Sequence, residues 1–106
     1  GVEPPQLSPE QHVAAAFDVL EQGDAIAAAA AFNNAITVAA EMGQDDIAAD
    51  ATAGMLRSYM TLADTDPQAA AATGQLAKML QTNPLNAYAD RPLVSRALVR
   101  VHLQLH

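Results

Sequence analysis

Apolar residues recur every three or four positions along most of the chain, which is the spacing of amphipathic α-helices. A short turn of polar residues, glycine or proline separates each such segment from the next. The pattern predicts four successive helices over residues 9–22, 25–42, 46–63 and 67–81. Because the connecting turns are short, neighbouring helices are expected to lie antiparallel.

Capping signals support these helix limits. Ser8 stands three residues before Gln11, which is the spacing of a capping box. Gly23 and Gly43 stand where the first two helices are expected to stop, since glycine is common just past a helix end. Gly54 differs, because it falls inside the third predicted helix, where an exposed glycine costs about 1 kcal/mol relative to alanine.

The last segment, residues 92–106, fits two patterns. As a helix, it carries one apolar stripe formed by Val94, Leu98, Val101 and Leu105. As a strand, it alternates apolar residues at positions 99, 101, 103 and 105 with polar ones. A lone strand would need a partner strand, so a fifth helix is favoured in a chain that is otherwise helical. We therefore predict an all-α domain of about five helices over residues 8–106, after a flexible linker at residues 1–7.

Composition changes the expected nature of the core. Hydrophobic residues make up 51% of the 106 residues, but 25 of them are alanine. Alanine buries little area, although it is the best helix former. We therefore expect helices that approach each other closely, and a core with few bulky side chains.

Residues 22–38 have a more specific pattern. Ala28, Phe32 and Ala35 follow Asp24 by four, eight and eleven positions, after a Gly-Asp turn. This segment resembles the second half of a tetratricopeptide repeat, in which two small residues flank an aromatic one. Ala16 matches the small residue that the family places in the first helix of the repeat.

The resemblance covers residues 9–39 and departs from the family elsewhere. His12 stands where the family often has tryptophan, and Ala40 replaces the usual closing proline. In the next hairpin Asp66, Ala70 and Ala77 repeat the spacing, but Gly74 replaces the aromatic residue. The second hairpin is therefore expected to be either a degenerate repeat or a hairpin of another kind.

What the resemblance implies is a short α-solenoid, a right-handed superhelix whose concave face binds a peptide or a helix. The groove-facing positions of the family correspond here to Glu10, Val13, Ala14, Phe17, Leu20 and Glu21. Family members that grip a terminal carboxylate use lysine and asparagine at such positions. Because Val13 and Phe17 stand there instead, the resemblance implies a more apolar groove.

Charge divides the chain into two unlike parts. The net charge is −7, which argues against a nucleic acid as partner, since its backbone is bound by Lys and Arg. Residues 1–66 contain eleven acids and one base, Arg57, whereas residues 67–106 contain one acid and four bases. Arg91, Arg96 and Arg100 have two interpretations: solvated charges that interact with the acidic half, or a docking site for an acidic partner.

Candidate chemistry is sparse. Ser8 is better explained as a helix cap than as a nucleophile, and no acid is placed to orient His12. His102 and His106 are one helical turn apart, but two ligands without a carboxylate make a poor metal site. The aspartates at positions 45, 46 and 50 lack the glycine and the closing glutamate of a calcium loop. With no cysteine and no phosphate-binding glycine loop, we expect no enzyme activity, no cofactor and no metal.

The leading hypothesis is a non-enzymatic protein–protein interaction module that binds a peptide or helix or associates with itself. An alternative is a regulatory or accessory helical bundle of a larger enzyme or transcription regulator, in which no concave apolar face is left open. A self-contact is expected to be head-to-tail and to use the apolar last segment, including Leu93 and Val94. The predicted partner-binding residues are Val13, Phe17, Leu20, Arg96, Leu98, Arg100, Val101 and Leu105.

Location is inferred from missing signals. No apolar run approaches the ~18 residues that span a membrane, and no signal peptide is visible. We therefore expect a cytoplasmic location without membrane insertion. The chain begins at Gly1 rather than methionine, which suggests a piece of a longer protein.

Overall fold

The computed structural model describes residues 7–105, without the side chain of Leu105, and within this part of the chain it is all-helical with no strand. The helices are α1 (Pro9–Glu21), α2 (Ala25–Glu41), α3 (Asp45–Leu62), α4 (Pro67–Leu80) and α5 (Pro92–Leu105), with a 3₁₀ turn at Leu85–Tyr88. The all-α prediction is confirmed, and the last segment is a helix. The predicted linker lies outside the described residues, apart from Leu7.

The turns form as the capping signals predict. The Ser8 hydroxyl accepts a hydrogen bond from the backbone N–H of Gln11 (3.2 Å), whose side chain accepts one from the Ser8 N–H (2.8 Å). Gly23 and Gly43 have φ of 93° and 69°, in the left-handed region that favours glycine. These residues let the chain reverse within three residues, so that α2 and α3 can fold back on the helix before them.

Helix α3 lies at the centre of the molecule. It packs against α1, α2, α4 and α5, while α2 also packs against α1 and α4 also packs against α5. The odd-numbered helices therefore lie side by side, with α2 and α4 behind them. The molecule is elongated, with extents of 53 × 30 × 20 Å. This arrangement leaves one side of α1, α3 and α5 uncovered by the even-numbered helices.

Alanine dominates the core, as composition predicts. Of the 21 buried hydrophobic residues, 13 are alanine, so the helices can approach closely. One cluster joins α1, α2 and the first half of α3 around Phe32, and a second joins α3, α4 and α5 around Leu56 and Leu80. Buried hydroxyls are satisfied within their own helices: the Thr52 hydroxyl donates to the Ala48 carbonyl at 2.7 Å.

The apolar stripe of α5 faces the core of its own chain, which corrects the expectation that this stripe contacts a partner. Val94 is fully buried and Val101 is 3% exposed, and Leu98 packs against the same cluster. These side chains pack with residues of α3 and α4 in the cluster around Leu56 and Leu80. The side chain of Leu105 lies outside the described residues.

The second hairpin does not repeat the contacts of the first. Ala70 and Gly74, which follow the spacing of the first repeat, are exposed on α4. The buried residues of this helix are Ala69, Thr73, Leu76, Ala77 and Leu80. Ala69 and Thr73 are thus buried in place of Ala70 and Gly74, whereas Ala77 is buried as the spacing predicts.

The cap of α4 provides a first test of this fold. The Asp66 carboxylate accepts a hydrogen bond from the backbone N–H of Gln68 at 2.9 Å. Asp66→Ala is expected to lower the free energy of unfolding by about 1 kcal/mol, because one helix N–H loses its partner. Asp64→Ala is the matched control, since Asp64 is exposed and its substitution removes the same negative charge as Asp66→Ala. Urea unfolding of both variants measures the difference, and equal losses would contradict the capping role.

Candidate functional site

A groove lies where α1, α3 and α5 meet, beside the turn that leads into α2. Its volume is about 360 Å³, and it is open to solvent. We call it the inner groove. Its charged lining residues are Arg57, Arg100 and one acid, Glu21, and its larger apolar ones are Phe17, Leu20 and Met60.

The apolar floor of the inner groove includes Phe17, which rests on a buried ring. Phe32 of α2 is fully buried and lies directly over Gly54 of α3, where any side chain would occupy the same space. The Phe17 ring meets the Phe32 ring edge to face, with centroids 4.7 Å apart and an angle of 76°. The Arg57 guanidinium lies over Phe17, 5.8 Å from its centroid, within the range of a cation–π contact. The contact between Phe32 and Phe17 thus supports the ring on which the Arg57 guanidinium lies.

The groove concentrates positive charge in an acidic protein. Partial burial and the charges of Arg100 and Arg96 lower the pKa of Arg57, and Glu21 acts in the opposite direction. Arginine remains protonated at neutral pH in spite of such shifts, so the three cations coexist. Within residues 7–105, none of these three guanidiniums has a carboxylate oxygen within 4.0 Å. Of these residues, Arg57 and Arg100 line the groove together with Glu21, so the lining carries a net positive charge.

A second hollow, of about 350 Å³, lies beside the start of α1. Its lining includes Glu10, Val13, Asp46, Asp50 and Arg91. Here charges are already paired: Arg91 donates to both oxygens of the Asp50 carboxylate, from Nε at 3.0 Å and from a terminal nitrogen at 2.6 Å. The Asp46 carboxylate lies 3.7 Å from the other terminal nitrogen. This pairing raises the pKa of Arg91, chiefly through the hydrogen bonds to Asp50.

The structure separates the residues that the sequence analysis grouped together. Phe17, Leu20 and Arg100 line the inner groove, and Arg96 is exposed on α5 with its charge acting on Arg57. Val13 is buried at the second hollow, Val101 is buried in the core, and Leu98 is partly buried against it.

Arg91, Arg96 and Arg100, which the sequence analysis considered together, fall into two groups. Arg91 interacts with the acidic half of its own chain, as the first interpretation holds. Arg96 and Arg100 have no such partner among the described residues.

Sequence reasoning missed Arg57 and Met60 as groove residues. Both lie in α3 and line the groove one helical turn from each other along that helix. One signal for Arg57 was present, since it is the single base among residues 1–66. No signal marked Met60, whose position depends on how α3 packs between its neighbours.

The described residues place no group of three or more His, Asp and Glu side chains where they could hold a metal ion. Over the same part of the chain, every helix is too short or too polar to cross a lipid bilayer. Comparison of the chain with protein-family models, curated proteins and solved structures found no match.

Proposed function

We propose that this protein is a non-enzymatic interaction module whose inner groove binds an acidic segment of another protein. The observation that carries the proposal is the group of guanidiniums at the groove without a carboxylate partner among the described residues, in a chain of net charge −7. In such a chain, cations that remain unpaired in a groove are available to a ligand of opposite charge.

The floor of the groove adds a second requirement for the ligand. Phe17, Leu20 and Met60 border the same space as the arginines. A segment that carries one apolar side chain between acidic residues would place that side chain on this floor and its carboxylates near Arg57 and Arg100. Arginine suits this recognition because its planar guanidinium binds a carboxylate through two hydrogen bonds.

A peptide-display selection tests the proposal without assuming a particular partner. Random peptides are selected against the wild type, and we expect the selected set to be enriched in Asp and Glu around an apolar residue. The affinity of a selected peptide is then measured by fluorescence anisotropy. For the Arg57→Gln/Arg100→Gln variant we expect binding at least about tenfold weaker, because two charge-assisted contacts are lost.

The Lys78→Gln variant is the matched control, because Lys78 is exposed on α4 and does not line the groove. Its affinity is expected to match that of the wild type. Circular dichroism verifies that each variant is folded. Selected peptides without an excess of acidic residues, or an unchanged affinity of the double-arginine variant, would refute the proposed function.

A further inference from the structure

The outer face of α5 exposes two apolar side chains beside two arginines. Val99 is 56% exposed and Leu103 is 72% exposed, although the opposite face of this helix fills the core. These two residues are one helical turn apart, and so are Arg96 and Arg100 in the adjacent row. We call these four residues the tail face. An exposed apolar pair flanked by arginine is typical of interaction surfaces.

The exposed face of α1 has the complementary character. Glu10, Ala14 and Asp18 form one row along the helix, Ala15 lies beside it, and all four are exposed. We call these four residues the head face. The sequence of α1 contains no Lys or Arg, just as the sequence of α5 contains no Asp or Glu. The head face is therefore acidic at its two ends and flat between them, where only methyl groups project.

We propose that the tail face of one copy of this chain docks on the head face of a second copy. The valine–leucine pair would lie over the two alanines, since small residues let two helices approach closely. The two arginines would then lie near Glu10 and Asp18, which are two helical turns apart. Charge complementarity is the argument for a second copy as occupant, because the cations of the tail face and the carboxylates of the head face belong to the same chain.

The direction of the contact follows from the same charges. Tail-to-tail pairing would bring arginines together, and head-to-head pairing would bring carboxylates together, so neither symmetric dimer is favoured. Head-to-tail contacts are heterologous and leave one head and one tail unoccupied, so copies can add in succession. This inference goes beyond the proposed function, because the apolar pair lies outside the inner groove. Arg100 borders both surfaces and is left unchanged in the test.

Two complementary variants test the direction of docking. The tail variant Val99→Gln/Leu103→Gln removes the apolar pair and keeps the head face. The head variant Ala14→Lys/Asp18→Lys reverses the head face and keeps the tail face. All four positions are exposed, so both variants are expected to fold, which circular dichroism verifies. Sedimentation equilibrium measures the mass of each variant alone, of their equimolar mixture and of the wild type.

We expect the wild type to form species larger than a dimer of the 11.0 kDa chain as concentration rises. Each variant alone should be monomeric, and the mixture should stop at a dimer, because only one head and one tail are intact. Raising the salt concentration should weaken wild-type association by about tenfold, since exposed charges are screened. A monomeric wild type, association of either variant alone, or a monomeric mixture would overturn the inference. Peptide binding at the inner groove is measured separately on the tail variant and is expected to persist.

Discussion

The Gly54→Ala variant is expected to be less stable than the wild type by about 2 kcal/mol, although alanine is the better helix former. In an open helix position this change stabilises by about 1 kcal/mol. At position 54 the new methyl group would overlap three ring carbons of Phe32, which is fully buried and cannot swing into solvent. Overpacking of this kind costs about 3 kcal/mol, and it outweighs the helix propensity. Urea unfolding measures the loss.

Gly74→Ala is the matched control, because it makes the same substitution in α4 at a position with nothing within 4 Å. That variant is expected to gain about 1 kcal/mol, so the two alanine variants should change stability in opposite directions. A second control restores space: adding Phe32→Leu to Gly54→Ala should cost less than the sum of the two single changes. A stabilised Gly54→Ala variant would show that the Phe32 ring does not occupy the position beside Gly54.

The Gly54→Ala variant also tests whether packing in the core affects the inner groove. The Phe17 ring rests edge-on against Phe32, and the Arg57 guanidinium lies over Phe17. A displaced Phe32 therefore moves the support of the groove cation. We expect Gly54→Ala to weaken peptide binding under conditions in which the variant is still folded, whereas Gly74→Ala leaves binding unchanged.

Local signals in the sequence account for the helices. Caps, glycines and apolar spacing place all four early helices within one residue of their observed limits, because each signal acts over a single turn. The role of Gly54 was not accessible in this way. A glycine is required at this position because it contacts Phe32, which is 22 positions away in another helix. Helix propensity alone predicts only that a glycine there destabilises the helix.

The candidate site was partly predictable for the same reason. Phe17 and Leu20 belong to one amphipathic helix, and their spacing alone places them on a common side. Which face of α5 points inward depends on how this helix packs against α3 and α4, and Val101, which the sequence analysis assigned to a partner, is buried in that contact. The exposed pair, Val99 and Leu103, carried a signal only as part of the competing strand pattern.

Arg91 is expected to be the most important cation for stability, because it is the counter-ion of a largely buried carboxylate. The Asp50 side chain is only 10% exposed, and Arg91 satisfies both of its oxygens. Arg91→Met keeps much of the side-chain length but leaves a buried carboxylate without a counter-ion. Because Arg91 itself is 35% exposed and water can enter, we expect a loss of about 2 kcal/mol, less than for a fully buried pair.

The Arg96→Met variant is the control for charge alone, since Arg96 is exposed and has no carboxylate within 4.0 Å among the described residues. Its stability is expected to change by less than about 0.5 kcal/mol. Combining Arg91→Met with Asp50→Ala should recover much of the loss, because both members of the pair are then absent. If both methionine variants were equally stable, the bidentate contact between α3 and the start of α5 would be dispensable. In that case the position of α5 against α3 would depend on the apolar packing of α5 rather than on charge.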